Sequence, residues 1–371
     1  MRVAIVINTS WNIFNFRMGL INKLLQEGHE VIAIAPKDNF SSKLVEAGCR
    51  YVRVELDSRG INPLKDLGLI YELFKIYRRV SPDVILHYTI KPNIYGTLAA
   101  SLLRIPVVNN VCGLGTAFLQ KNLVSRLATL MYRISFWYPN KIFFQNDEDL
   151  ELFVNNRIVS KNSSDVLPGS GVNLTRFVPS PFNNNKSSFT FLMISRLILD
   201  KGVLEYLEAA KTLKKRGFNV RIQLLGAKDP NHRRGINSDL IDKLILESGV
   251  EYLGTSYDVV PIINQADCIV LPSYREGTPR TLLEAAGCAK PIVATNVPGC
   301  NNIVQDGING YLCIEKSADD LMNKMLKMLD LSSAELNRMG LKSREIAEER
   351  FDEMIVINKY VDAIHKLKKS A

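Results

Sequence analysis

The densest polar signal in the chain is Ser273-Tyr274-Arg275-Glu276-Gly277-Thr278-Pro279-Arg280, directly after an apolar run ending at Leu271. Proline is preorganised for a first helical position, so the sequence predicts a helix beginning near Pro279 and carrying Glu284. Gly277 permits close backbone approach, and the free amides of the helix start favour an anion. Glu276 falls on the loop, with Glu284 about one and a half turns into the helix. Carboxylates so placed can accept hydrogen bonds from hydroxyls of one extended ligand. The competing reading is a capped helix with Glu276 solvated and Glu284 salt-bridged. A second cluster sharpens the choice. The run Phe189–Ile194 ends in Ser195-Arg196, and Lys201-Gly202 opens the next helical stretch. Cations at a helix start oppose the macrodipole, and a bound anion reverses that penalty. Arg196 offers a bidentate fork to a phosphate and Lys201 a mobile point charge. Together the clusters describe a pocket for a diphosphate at one end and hydroxyl-bearing groups at the other.

The elements that must position these residues alternate along the whole chain. Short apolar runs at 3–7, 30–35, 51–56, 84–87, 107–111 and 141–145 read as buried strands, with helices near 16–27, 65–79, 93–103 and 121–136. The Pro- and Asn-rich stretch Pro179–Asn185 reads as a linker. The rhythm then restarts, with strands at 189–194, 220–225, 250–253, 268–271, 291–294 and 311–313 and helices near 203–216, 237–248, 279–287 and 319–329. Strand, helix, strand at this spacing predicts an α/β fold of two parallel, doubly wound sheets, residues 1–180 and 181–352, facing across a cleft. Ligands of open parallel sheets sit outside the carboxyl ends of the strands, where both clusters fall.

The net charge of +9 is unevenly spread. Residues 1–145 hold 18 basic and 9 acidic side chains, and the remainder holds 29 of each. No acid occurs between Asp83 and Asp147. Such a field suits nucleic acid, anionic lipid, a phosphorylated substrate or plain solubility. Nucleic acid is disfavoured, since no recognition motif accompanies the charge. No signal peptide and no run of the roughly 20 apolar residues that span a bilayer is evident. The six cysteines are scattered without CxxC spacing, which argues against zinc and disulfide frameworks and for a cytoplasmic location. Asp147-Glu148-Asp149 reads as the acidic first turn of a helix rather than a metal cluster. His87 and Lys91, at the end of another strand, either face a ligand or are a satisfied loop histidine and a solvated lysine. Residues 121–138 combine Leu, Met, Phe and Trp137 with Lys121, Arg126 and Arg133. They suit either a core helix or a helix lying at a lipid interface.

The spacing of Glu276 and Glu284 inside Glu-Gly-x-Pro…Leu-Leu-Glu-Ala resembles the signature of retaining, nucleotide-sugar-dependent glycosyltransferases of the GT-B fold, family 4. Arg196…Lys201-Gly202, Gly171-Val172-Asn173…Phe177 and Asp306-Gly307-x-Asn309-Gly310 extend the match. The segment from His87 to Gly96, followed by Gly113-Leu114-Gly115, resembles a narrower group acting on polyprenyl-diphosphate-linked glycans in bacterial capsule, O-antigen and protein-glycan assembly. The resemblance implies two Rossmann-like domains, with residues 353–371 returning as a helix onto the first. It assigns Arg196 and Lys201 to the donor diphosphate. Glu276 and the backbone of Gly277, Thr278 and Pro279 fall to the donor sugar and its phosphate, Glu284 to the ribose, and Leu283 to the vicinity of the base. Glu276, Arg196 and Lys201 are the catalytic set, and Arg17, His87 and Lys91 the acceptor-side candidates. The implied donor is a UDP-N-acetylhexosamine, handled without metal or cofactor. The implied location is the inner face of a bacterial plasma membrane, held there by the basic first half. Two departures stand out. Asn8-Thr9-Ser10-Trp11-Asn12 replaces a glycine pair, and Cys112-Gly113 replaces His-Gly, so Cys112 is either a nucleophile or, more simply, a small residue ending a buried strand. A UDP-sugar epimerase of the same fold and a non-catalytic nucleotide-sugar or lipid binder are the competing functions.

Overall fold

The computed structural model describes residues 1–56, 63–113, 123–181 and 188–370. It divides into two units, Met1–Ser170 with Glu353–Ala371, and Gly171–Asp352. In the first unit the order is β1 (Arg2–Val6), α1 (Ser10–Gln26), β2 (Glu30–Ala35), α2 (Ser41–Glu46), β3 (Arg50–Arg53) and α3 (Pro63–Val80). β4 (Val84–Tyr88) leads through a π turn at Pro92–Gly96 into α4 (Thr97–Leu102) and β5 (Val107–Val111). There follow α5 (Leu123–Ser135), β6 (Lys141–Phe144), α6 (Asp147–Asn155) and β7 (Ser164–Val166). All pairings are parallel, in the order β3-β2-β1-β4-β5-β6-β7. Sequential strands run outward in both directions from the β1/β4 pair, which is therefore the switch point of this sheet.

The second unit holds β8 (Phe189–Ile194), α7 (Val203–Lys215), β9 (Val220–Leu225), α8 (Ser238–Ser248), β10 (Glu251–Tyr252) and α9 (Val260–Gln265). It continues with β11 (Cys268–Leu271), α10 (Arg280–Gly287), β12 (Ile292–Thr295), β13 (Gly310–Cys313), α11 (Ala318–Leu329) and α12 (Ser333–Arg350). Its sheet, β10-β9-β8-β11-β12-β13, is also parallel and switches between β8 and β11. The final helix, α13 (Glu353–Ser370), belongs to the first unit. Its Val356, Ile357, Tyr360, Val361 and Ile364 are buried with Ile21 and Leu24 of α1 in the first core.

Both sheets are covered on two faces, so their strands are near-continuous Val, Ile, Leu and Ala runs rather than alternating ones. The division between units corrects the expected boundary at residue 180. Val172 already donates to the Phe351 carbonyl at 2.8 Å, and Phe177 is buried in the second core. The prolines of the 179–185 stretch thus lie inside the second unit, and Asn183, Asn184 and Asn185 lie outside the described residues. Among the described residues no helix is long and apolar enough to cross a membrane.

Candidate active site

At the β8/β11 switch point the backbone decides where the charges go. A short 3-10 turn, Leu199–Lys201, follows β8 and ends at Gly202 with φ +71°. A Cβ there would lie 2.0 Å from the Pro272 carbonyl oxygen, so only glycine lets the β8 loop press on the loop after β11. The Tyr274 amide donates to the Asp200 carbonyl at 2.9 Å and sews the two loops together. Lys201 is thereby placed against Glu276, with its Nζ donating to Oε1 of that carboxylate. An ammonium has three donors, so two remain for an incoming oxyanion. Glu276 is held from behind, its amide donating to the Pro298 carbonyl at 3.3 Å. A Cβ on Gly299, at φ +86°, would meet the carbonyl oxygens of Gly277 and Glu276 at 2.5 and 2.7 Å. Arg196 is more than half exposed, and its Nη1 stands 3.6 Å from Asp229.

Pro279 is the N-cap of α10 rather than its first residue, and Thr281 locks the helix to β8 by donating to the Ile194 carbonyl at 2.9 Å. On α10 the Nε of Arg280 donates to Oε1 of Glu284 at 3.0 Å, and its Nη1 donates to the Gly171 carbonyl at 3.0 Å. Burial pushes the Glu284 carboxyl above its ordinary range, against the pull of Arg280 and Arg176. The arrangement is a cation and a carboxylate on one loop pair, with a second carboxylate on a helix that starts at the same place. It can meet a diphosphate and a row of hydroxyls together.

In the first unit, the β1/β4 switch point is lined by polar atoms without partners. Arg17 of α1 is only 5% exposed, yet its Nε has no hydrogen-bond partner and no carboxylate pairs with it among the described residues. Its guanidinium lies over the Tyr88 ring at 4.2 Å. Asn8 Oδ1 after β1, and Thr89 Oγ1 and Asn93 Oδ1 after β4, are also buried and unpartnered. Thr89 has φ +66°, a strained state for a β-branched residue. Cys112, at the end of β5, donates its thiol proton to Asn110 Oδ1 at 3.3 Å. Burial pushes this thiol up against the pull of Arg17, so it is a protonated strand-end residue and not a ready nucleophile.

Two family models match the chain, "Glycosyl transferases group 1" over residues 176–346 and "Glycosyl transferase 4-like" over residues 2–146. The chain is a glycosyltransferase of the GT-B fold. The glycosyltransferase is 29% identical, over all of both chains, to the N,N'-diacetylbacillosaminyl-diphospho-undecaprenol alpha-1,3-N-acetylgalactosaminyltransferase of Campylobacter jejuni. It is 24% identical, over 73% of each chain, to the Escherichia coli UDP-Gal:alpha-D-GlcNAc-diphosphoundecaprenol alpha-1,3-galactosyltransferase. Among solved structures, Anabaena HepE with UDP and glucose superposes with a TM-score of 0.81 at 17% identity, covering 98% of this chain and 99% of that one. At that identity the likeness carries the fold.

In the glycosyltransferase, Arg196, Lys201, Glu276, Gly277, Thr278, Pro279 and Glu284 fall on the two loops and the helix start of one switch point. Leu283 is corrected. It is fully buried with Leu282, Ala285 and Ala286 in the second core and offers no surface to a base. His87 is corrected as well. It is inaccessible inside β4, its Nε2 2.9 Å from the Tyr77 hydroxyl and its Nδ1 3.1 Å from Asn109 Oδ1. Burial drives its pKa down to about 3. It is a neutral core histidine that no acceptor touches. Lys91 is neither solvated nor free for an acceptor: it donates to Asp66 Oδ1 at 2.7 Å, and Tyr95 donates to the other oxygen at 2.9 Å. Arg17 is the acceptor-side candidate that keeps an uncompensated charge. The unpartnered Asn8, Thr89 and Asn93 carry no sequence signal beyond their position after β1 and β4. Asp147, Glu148 and Asp149 form the acidic first turn of α6, capped by Asn146. Leu114, Gly115, Lys121 and the side chain of Arg126 lie outside the described residues.

Proposed function

We propose that this glycosyltransferase moves an N-acetylhexosamine, GalNAc or GlcNAc, from UDP onto a polyprenyl-diphosphate-linked saccharide with retention of configuration. The observation that carries the reading is the end-to-end likeness to a transferase named for a diphospho-undecaprenol-linked sugar. In the reaction, the bond from the anomeric carbon to the phosphate oxygen breaks and the acceptor oxygen bonds to the same face. The acceptor's proton passes to the leaving phosphate. Charge develops on the UDP, where Lys201, Arg196 and the α10 amino terminus stabilise it. Fixed donors aimed at developing charge usually contribute more to catalysis than any other single effect. Glu276 holds Lys201 and accepts from a sugar hydroxyl, Glu284 accepts from the ribose, and no divalent metal is needed because these cations take its role. On the acceptor side, Arg17 and the unpartnered oxygens of Asn8, Thr89 and Asn93 supply a cation and hydroxyl partners.

The same reading puts the enzyme on the cytoplasmic face of an anionic membrane. Tyr132 and Phe136 turn one side of the α5 segment into the core, against Phe153. The opposite side leaves Leu127, Leu130 and Ile134 about half exposed and Trp137 92% exposed. An apolar stripe on a basic unit suits a lipid interface.

The deciding experiment supplies UDP-GalNAc or UDP-GlcNAc with and without a polyprenyl-diphosphate-linked saccharide. Transfer to the lipid in a chelator, with at least a tenfold loss in Glu276→Gln and Arg196→Ala, is the expected result. Net conversion of the UDP-sugar alone to its epimer, or wild-type turnover in both variants, would overturn the assignment. Vesicles containing phosphatidylglycerol should retain the wild type at low salt and release it at high salt. Trp137→Ser with Leu130→Ser should abolish retention and Arg196→Ala should keep it.

A further inference from the structure

At the amino end of β2 in the first unit, three ligand-type side chains from distant parts of the chain converge. Glu27 is the C-cap residue of α1, Gly28 at φ +76° reverses the chain, and His29 immediately precedes β2. His365 comes from α13, which packs beside α1 in the same unit. Its Nε2 is 3.2 Å from Glu27 Oε2, and the His29 Nε2 is 3.6 Å from that same oxygen. One ligand atom from each of the three residues lies within 4.8 Å of the other two. Glu27 Oε2 and His29 Nε2 are sealed from solvent, and neither makes a hydrogen bond of acceptable geometry. Buried polar atoms are ordinarily paired, so two such atoms facing one point call for a shared cation. The spacing fits one. Metal–ligand bonds of about 2.0–2.1 Å in a tetrahedron set neighbouring ligands about 3.3 Å apart.

We propose that Glu27, His29 and His365 form a zinc site that clamps the C-terminal helix onto the α1–β2 turn of the first unit. Two imidazoles and one carboxylate select zinc and its late first-row neighbours over magnesium or calcium. His29 side-chain exposure is 8% and that of His365 is 48%, so one side of the site is closed and the other admits water as the remaining ligand. The surrounding charges define how it binds. Lys23 holds the other oxygen, Glu27 Oε1, at 3.1 Å, which leaves the carboxylate monodentate through Oε2. The Met1 amine lies 3.2 Å from His29 Nδ1. That contact occupies Nδ1 and leaves Nε2 as the nitrogen that faces Glu27. Lys368 is a further cation near the ring. The site has no part in sugar transfer.

The test uses the full chain without any affinity tag, stripped with chelator, re-equilibrated with micromolar zinc sulfate and assayed for bound metal and for thermal melting. The expected result is one zinc per chain and a melting temperature raised by about 3 °C or more. His365→Gln should lose both effects while melting, without zinc, like the stripped wild type. Because the exposed His365 is the least structural ligand, this variant keeps the test readable if His29→Gln fails to fold. Absence of stoichiometric zinc in the wild type, or equal zinc in His365→Gln, would overturn the proposal.

Discussion

Replacing Arg280 by methionine removes one charge from the donor site and keeps most of the side chain's volume. Arg280 and Glu284 are 19% and 12% exposed, with Nε and Oε1 3.0 Å apart. Unit charges about 4 Å apart attract by about 4 kcal/mol at an effective dielectric of 20. Fully exposed helical pairs yield only about 0.3–0.5 kcal/mol. A pair about four-fifths buried falls between, and about 1.5 kcal/mol is a fair value. Burial already holds the Glu284 carboxyl up, with Arg280 and Arg176 opposing it. Arg280→Met should therefore lift it further.

A protonated Glu284 can no longer offer two acceptors to a ribose, so UDP affinity should fall on the acid side around this carboxyl's pKa. Calorimetric titration from mildly acidic to mildly basic pH reads the effect. The terminal phosphate of UDP titrates in that range too, but equally for both proteins, so the difference between wild type and variant isolates Glu284. The acid limb should move up in Arg280→Met and largely return in Arg280→Lys. Stability carries the same sign. A carboxyl raised on folding stabilises the fold below its unfolded pKa and loses that contribution as pH rises through the folded value. Below both values Glu284 is neutral and the pair is gone, so the variant's stability deficit at neutral pH should shrink in acid to what the lost bond from Arg280 to the Gly171 carbonyl contributes. Superimposable pH curves in a folded variant would refute the reasoning. A uniform loss at every pH would show instead that Arg280 touches the nucleotide directly.

Gly202→Ala should cost more than about 2 kcal/mol in urea melts and displace Lys201, because a left-handed backbone and the Pro272 carbonyl both oppose the new methyl. Gly217→Ala, at φ +80° with nothing within 4 Å of its Cβ, should lose only the backbone part, about 1 kcal/mol. Equal losses would mean the loop contact carries no weight. His87, driven down to about 3, stabilises the fold above its unfolded pKa and loses this as pH falls. Between pH 6.5 and 5 the wild type should lose about 1.4 kcal/mol per pH unit more than His87→Gln, and parallel stability curves would contradict it. Glu276→Gln should lower kcat at least tenfold while leaving UDP affinity unchanged or tighter, since Lys201 is released to the diphosphate. A loss confined to KM would reassign Glu276 to simple binding.

What the sequence reveals of this enzyme is what is local. The strands at 189–194, 268–271 and 107–111 are legible because a two-face-covered sheet writes itself as short unbroken apolar runs. Glu276 and Glu284 are legible because a strand end, a glycine and a helix start fix their separation along one segment. Leu283 escapes the same logic. It is next to Glu284 in sequence, but neighbouring helical residues point about 100° apart, so one faces the core while the other faces the site. His87 and Lys91 look functional because polar residues at a strand's carboxyl end often are. Their partners Tyr77, Asn109 and Asp66 come from other elements, and only tertiary packing shows them satisfied. The division between units falls at Ser170/Gly171 rather than at residue 180 for a similar reason: proline and asparagine mark a turn, not which core the flanking Phe177 enters. Glu27, His29 and His365 could not be joined from sequence, since the last comes from the far end of the chain.

The charge surplus of the first 145 residues now separates into parts with different physics. Several of its cations are cancelled locally, as Lys91 is by Asp66 and Arg53 by Glu55. Others, such as Arg133, sit on the surface beside the apolar stripe of α5. Among the described residues of this half, Arg17 alone is deeply buried with its Nε unpartnered. Exposed charges are screened over about 10 Å at ordinary ionic strength, whereas a buried charge is screened far less. Salt therefore distinguishes the two roles. Raising it should release the enzyme from anionic vesicles, yet leave the difference between wild type and Arg17→Met in transfer to a short, water-soluble acceptor diphosphate unchanged. If that difference decays with salt as vesicle binding does, Arg17 acts as one more surface cation and the polar crevice at the β1/β4 switch point is not where the acceptor's charge is met.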